Sequence, residues 1–214
     1  MLKVETNQFR LQYITHCNER FSYIEGVEMA LEGGCRWIQL RMKKSSRDEI
    51  LSVARHLKQK CKEKNAIFLI DDHVDICSRV KADGVHLGKN DMSIYDARSF
   101  LGEGFIIGAT CHDVDEIEDA YCDGADYAGV GPFRFTTTKE NLNTVLGLEG
   151  YQRIVKECWQ RGLSLPLTAI GGIETNHIAE ILNTGMDSIA ISGTILNAEN
   201  PIEQTKKIIS QWKI

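Results

Sequence analysis

The sequence predicts a (β/α)8 TIM barrel made by a single domain spanning residues 1–214. Three observations point there. Eight short, β-branched apolar runs alternate with amphipathic stretches of helical period. The runs are apolar almost throughout, as in parallel strands covered by helices, and do not alternate like a half-exposed sheet. The polar residues that interrupt the pattern gather at the C-terminal ends of the runs, where barrels of this kind carry their chemistry. A doubly wound open sheet is the alternative.

The predicted strands are LQYIT (11–15), RWIQL (36–40), AIFLI (66–70), ADGVHL (82–87), FIIGA (105–109), ADYAGV (125–130), LPLTAI (165–170) and SIAIS (188–192). Between them, 46–63 places Ile50, Val53, Ala54, Leu57 and Cys61 on one helical face. A helix over 113–122 opens on Asp113 as N-cap. One over 175–183 has Thr175 as candidate cap and Gly185 as stop signal. The last helix, near 201–212, starts with Pro201, favoured in a first turn. KADG at 81–84 and GADY at 124–127 echo one another at two helix-to-strand turns.

Composition narrows the function classes. The 214 residues are 43% hydrophobic and 26% charged, which suffices for a sizeable core, with a formal net charge of −5. That balance offers no basic field for nucleic acid or a membrane surface, so neither partner is expected. No apolar stretch reaches the roughly 20 residues of a membrane span. Seven widely spaced cysteines with no CxxC pair read as reduced thiols in a cytoplasmic protein.

The strand ends supply the candidate chemistry. Gln39, Arg41 and Lys43 alternate onto one face, and three polar groups aimed into a barrel mouth are costly without a partner. Arg and Lys there suit phosphate oxygens; the alternative is a strand end emerging into solvent. Asp72 and Asp91 end adjacent strands and suit a Mg²⁺ ion shared with a diphosphate, or are ordinary loop and cap residues. Asp71 is a candidate cap for a helix over 73–79. GGI (171–173) and SGT (192–194) follow the last two strands, where glycine backbone can approach a phosphate, or can simply turn tightly. TTTK (136–139) lies in a long connection suited to a binding loop. His73, His86 and His112 are acid–base candidates.

Taken together, IQLRMK (38–43), LIDDHVDIC (69–77), ADGVHLGKND (82–91), IIGATCH (106–112), GADYAGVGP (124–132), TTTK (136–139) and AIGGI (169–173) resemble the thiamine-phosphate synthase (pyrophosphorylase) family. The likeness runs from Tyr13 to the final helix. It implies a transferase that joins a hydroxymethylpyrimidine diphosphate to a thiazole phosphate with Mg²⁺. By the same resemblance, Gln39, Arg41 and Lys43, with the backbone through Leu40 and Met42, are the pyrimidine diphosphate site. Asp72 and Asp91 are the metal ligands, and Lys139 meets the leaving diphosphate. Arg41, Lys43 and Lys139 are the catalytic set. Thr136, Thr137 and Thr138 contact the thiazole, whose phosphate falls on Gly172, Ser192 and Gly193. Thr110 stands where the family has Ser, and Asp71 where it has Asn, which adds charge at a substrate contact. Met42, Arg134, Phe135 and Gly193 also depart from the family pattern. The competing readings are a thiazole tautomerase-like paralogue and a non-catalytic ligand-binding barrel. The oligomeric state stays open, a homo-oligomer included.

Overall fold

In the computed structural model, which describes residues 9–135 and 145–212, eight parallel strands close into a barrel in chain order. They are β1 (Leu11–Ile14), β2 (Trp37–Leu40), β3 (Ile67–Asp71), β4 (Gly84–Leu87), β5 (Ile106–Cys111), β6 (Tyr127–Val130), β7 (Leu167–Ile170) and β8 (Ser188–Ile191). Pairing of Leu11 with Ile189 and Tyr13 with Ile191 seals the barrel and excludes the open sheet.

The helices form the outer layer: α1 (Tyr23–Glu32), α2 (Arg47–Glu63), α3 (Val74–Val80), α4 (Ile94–Leu101), α5 (Val114–Cys122), α6 (Gly147–Gln160), α7 (Ile178–Leu182), α8 (Gly193–Leu196) and α9 (Pro201–Ser210). Local sequence explains several starts. Ser22 with Glu25, and Ser46 with Glu49, form capping boxes for α1 and α2. Asp113 accepts from the Glu116 N–H at the start of α5.

Two cap expectations fail. Thr175 does not cap α7: it begins a 3₁₀ turn (Thr175–His177) before that helix, and its hydroxyl accepts from Gln204 Nε2 at 2.6 Å. Asp71 does not cap α3, whose N-cap position is His73. The Asp71 side chain instead faces the barrel mouth, where cations reach it.

Strand alternation builds two cores. Outward residues such as Ile38, Leu40, Phe68 and Val85 pack under the helices. Inward ones, Trp37, Ile67, Leu69, Ile106 and Tyr127, fill the lower barrel, with Phe9 edge-on to Trp37 at 4.9 Å. The repeated helix-to-strand turns have a purpose. Asp83 accepts from the Phe68 N–H and from Lys58, and Asp126 from the Ile107 N–H and from Arg98. Asp187 does the same for the Leu167 N–H. Each carboxylate ties the base of its own strand to that of the preceding one.

Candidate active site

A cavity of about 240 Å³ opens at the C-terminal end of the barrel. One wall is built by β2, β3 and β4. The period of two in β2 turns Gln39 inward, and Arg41 and Lys43 follow it to the same cavity. They converge on Asp71: Gln39 Nε2 donates to its Oδ1 at 2.5 Å, while Arg41 Nε and Lys43 Nζ lie 3.4 Å and 3.5 Å from its Oδ2. Lys43 also pairs closely with Asp72. Asp72 is held at φ +63°, a left-handed conformation rare for a residue with a side chain.

The charges are strongly coupled. Burial, reinforced by the Asp72 charge, pushes the Asp71 carboxyl up to about 7 against the pull of Lys43 and Arg41. Burial also disfavours charge on Asp72, but bonding from Lys43 and Asp91 holds that carboxyl below its ordinary range. Asp91 is raised, by burial and by Asp72, although the Gly88 N–H donates to it at 2.8 Å. Lys43 is raised: Asp71 and Asp72 together outweigh its desolvation. Two acceptors are left buried without a hydrogen-bond partner, Gln39 Oε1 and Asp71 Oδ2.

The facing wall comes from β7 and β8, across the barrel from β3 and β4. Gly171 and Gly172 are both left-handed, at φ +95° and +68°. A Cβ on Gly172 would also meet Arg134 and Phe135 carbonyl oxygens at 3.0 Å, so glycine is required twice over. Ser192 and Gly193 follow β8, and Ser192 Oγ bonds His16 Nδ1 at 2.8 Å.

Ten of the residues singled out from the sequence thus line one cavity: Gln39, Arg41, Lys43, Asp71, Asp72, Asp91, Thr110, Gly172, Ser192 and Gly193. Leu40 and Met42 do not offer side chains to it. Both are buried in the core between sheet and helices, leaving only their backbone near the mouth. Thr136, Thr137, Thr138 and Lys139 lie outside the described residues. His86 and His112 also line the cavity. His112 is engaged by Glu116 at 2.7 Å. Sequence reasoning missed the apolar floor of Ile14, Ile170 and Ala190, and the inward Gln12 and Tyr127 beneath it. Strand alternation was the available signal for all of these.

The thiamine monophosphate synthase family profile matches residues 11–195, most of the chain and every element that builds this mouth. The chain belongs to that family. A thiamine-phosphate synthase of Bacteroides thetaiotaomicron is 53% identical over 204 residues, covering 95% of this chain and 98% of that protein. One of Bacteroides fragilis is 52% identical over 200 residues, covering 94% and 98%. Among solved structures, a thiamine phosphate pyrophosphorylase from Pyrococcus furiosus superposes with a TM-score of 0.86 at 35% identity, covering 97% of each chain. Membership of the family makes this chain a transferase of thiamine biosynthesis. Among the described residues, no helix is long and apolar enough to cross a membrane.

Proposed function

We propose that this mouth condenses 4-amino-2-methyl-5-(diphosphooxymethyl)pyrimidine with a thiazole phosphate, giving thiamine phosphate and diphosphate. One observation carries the reading: two walls suited to anions face each other across a single cavity, one of Arg41 and Lys43 beside carboxylates, the other of glycine backbone. That is the layout two phosphorylated substrates need if their reacting atoms are to meet in the middle.

The acidic pair fits Mg²⁺. Asp72 and Asp91 sit close enough for each to perturb the other, an arrangement a cation relieves, and Mg²⁺ needs only one or two carboxylates beside substrate phosphates and water. When bound, the ion would neutralise charge on diphosphate oxygens. Arg41 and Lys43 add fixed positive charge where the leaving group accumulates negative charge. Lys139 is assigned the same task. Gln39 Oε1, buried without a hydrogen-bond partner, suits an N–H group of an exocyclic amine. Gly172, Ser192 and Gly193 anchor the thiazole phosphate, and Thr136, Thr137 and Thr138 contact its ring. The C–O bond at the pyrimidine methylene breaks with its electron pair going to diphosphate. The thiazole nitrogen lone pair then forms the C–N bond, and no protein nucleophile is required. Cytoplasmic residence belongs to the same reading, supported by seven cysteines free of disulfides, five of them buried.

Incubating the chain with both substrates and Mg²⁺ tests the proposal. Thiamine phosphate and diphosphate are expected in equal amounts. Isomerised thiazole phosphate without thiamine phosphate would overturn it.

A further inference from the structure

Three polar side chains in the barrel interior, apart from the Thr168–Ser188 pair at 2.7 Å and the Gln39–Asp71 pair at the mouth, form a group of their own. Gln12 on β1, His86 on β4 and Tyr127 on β6 are all buried. They form one chain that climbs to the mouth. Gln12 Nε2 donates to Tyr127 Oη at 3.0 Å, Tyr127 Oη lies 2.8 Å from His86 Nδ1, and His86 Nε2 lies 2.9 Å from Thr110 Oγ1. Only Thr110 and His86 reach the cavity. The barrel gives up side chains to make room. A Cβ on Gly108 would sit 2.2 Å from the Tyr127 ring, and one on Gly129 would sit 3.0 Å from His86 Cε1.

The chain has a direction. An amide nitrogen can only donate, so the phenol oxygen receives at Gln12 and has one proton left to give. Burial drives the Tyr127 ionisation far above its ordinary range, so that proton stays on the phenol. The acceptor in line with it is His86 Nδ1. The neutral imidazole must then carry its proton on Nε2, which donates to Thr110 Oγ1. With that side of its oxygen occupied, the Thr110 hydroxyl turns its own proton toward the cavity.

We infer that Gln12, Tyr127 and His86 are positioning residues which hold Thr110 as a hydrogen-bond donor to an acceptor atom of the pyrimidine diphosphate. An isolated threonine hydroxyl rotates between giving and receiving. Here its polarity is set before the ligand arrives, and no reorganisation is left for the reaction. The ligand is assigned by place: Thr110 Oγ1 is 4.0 Å from where a Cβ of Gly88 would stand, on the wall of Asp91 rather than that of Gly172. Its identity rests on the synthase reading; the proton order does not.

Two measurements on the full chain test this. Long-range ¹H–¹⁵N correlation spectra with labelled histidine read which ring nitrogen is protonated, and His86→Gln identifies the His86 signals among six histidines. The Nε2–H tautomer is expected; an Nδ1–H or doubly protonated ring overturns the inference. No turnover is needed, so this result stands apart from a failure of the wild-type chain to make thiamine phosphate. The second is a double-mutant cycle. Tyr127→Phe and Thr110→Val should each lower kcat/KM for the pyrimidine diphosphate about tenfold, with the thiazole KM changed by less than about twofold. The double variant should be no worse than Thr110→Val alone. Losses that multiply, or that fall on the thiazole KM, overturn it. Should Tyr127→Phe not fold, Gln12→Met takes its place in the cycle.

Discussion

Gly108 has no side chain because the ring of Tyr127, its register partner on β6, fills the space: an added Cβ would lie 2.2–2.5 Å from Tyr127 Cζ, Cε1 and Oη. Gly108→Ala must therefore move the ring. Forcing a methyl into a packed core costs about 1–3 kcal/mol, and at this chain length each kcal/mol lowers Tm by about 2–4 °C. Displacing Tyr127 also breaks its bonds to Gln12 and His86. Thermal melts should show the loss. Adding Tyr127→Leu to Gly108→Ala should recover part of it, because the two changes share one volume.

That relationship marks the limit of what the sequence discloses. FIIGA and ADYAGV are legible as apolar strands, and all eight strands fall where the apolar runs place them, to within a residue or two at their ends. Gln39, Arg41 and Lys43 are legible because a period of two sends them to one face whatever the rest of the fold does. The Gln12–Tyr127–His86 chain is not legible that way. It needs the register of strands far apart in sequence: His86 stands out as an acid–base candidate, but Gln12 and Tyr127 look like ordinary strand residues. In the sequence Asp71 and Thr175 are both candidate caps, because an Asp or Thr before a helix usually is one. Tertiary partners won instead: Arg41, Lys43 and Gln39 at Asp71, Gln204 at Thr175.

The capping boxes carry a pH signature. Bonding from Ser46 holds Glu49 below its ordinary value of 4.5, and Ser22 does the same for Glu25. A depressed carboxyl contributes stability that is fully present above pH 4.5 and lost as pH falls through its folded-state value. Glu49→Gln keeps an acceptor for the Ser46 N–H but cannot titrate. The wild-type advantage in denaturant midpoint should thus be constant near neutrality and shrink below about pH 4.5. Ser46→Ala, which removes the other half of the box, should cost about 1 kcal/mol at neutral pH.

Asp71 puts a negative charge beneath the cations that would receive a diphosphate. Asp71→Asn keeps an oxygen for Gln39 Nε2 and removes the charge from beneath Arg41 and Lys43. The mouth becomes more positive, so KM for the pyrimidine diphosphate should fall several-fold at pH 8, and more at low ionic strength. Asp71→Leu should do the opposite to the fold. It strands Gln39 and leaves Arg41, only 23% exposed, without its partner. A loss of about 3–5 kcal/mol, seen as a lower denaturant midpoint, is expected.

Asp91 separates a metal role from a structural one. Its Oδ2 accepts from the Gly88 N–H, closing the turn after β4, and the same carboxyl meets Asp72. Asp91→Asn preserves an acceptor for the turn and halves the charge of the pair. The variant should melt within a few degrees of wild type, because the turn survives. Its turnover should fall by at least about tenfold at fixed Mg²⁺, because a neutral amide oxygen is a far weaker ligand for a hard cation. Raising Mg²⁺ should recover part of the rate, since the defect lies in ion affinity. Full activity in Asp91→Asn, with no change in Mg²⁺ dependence, would remove Asp91 from the metal site.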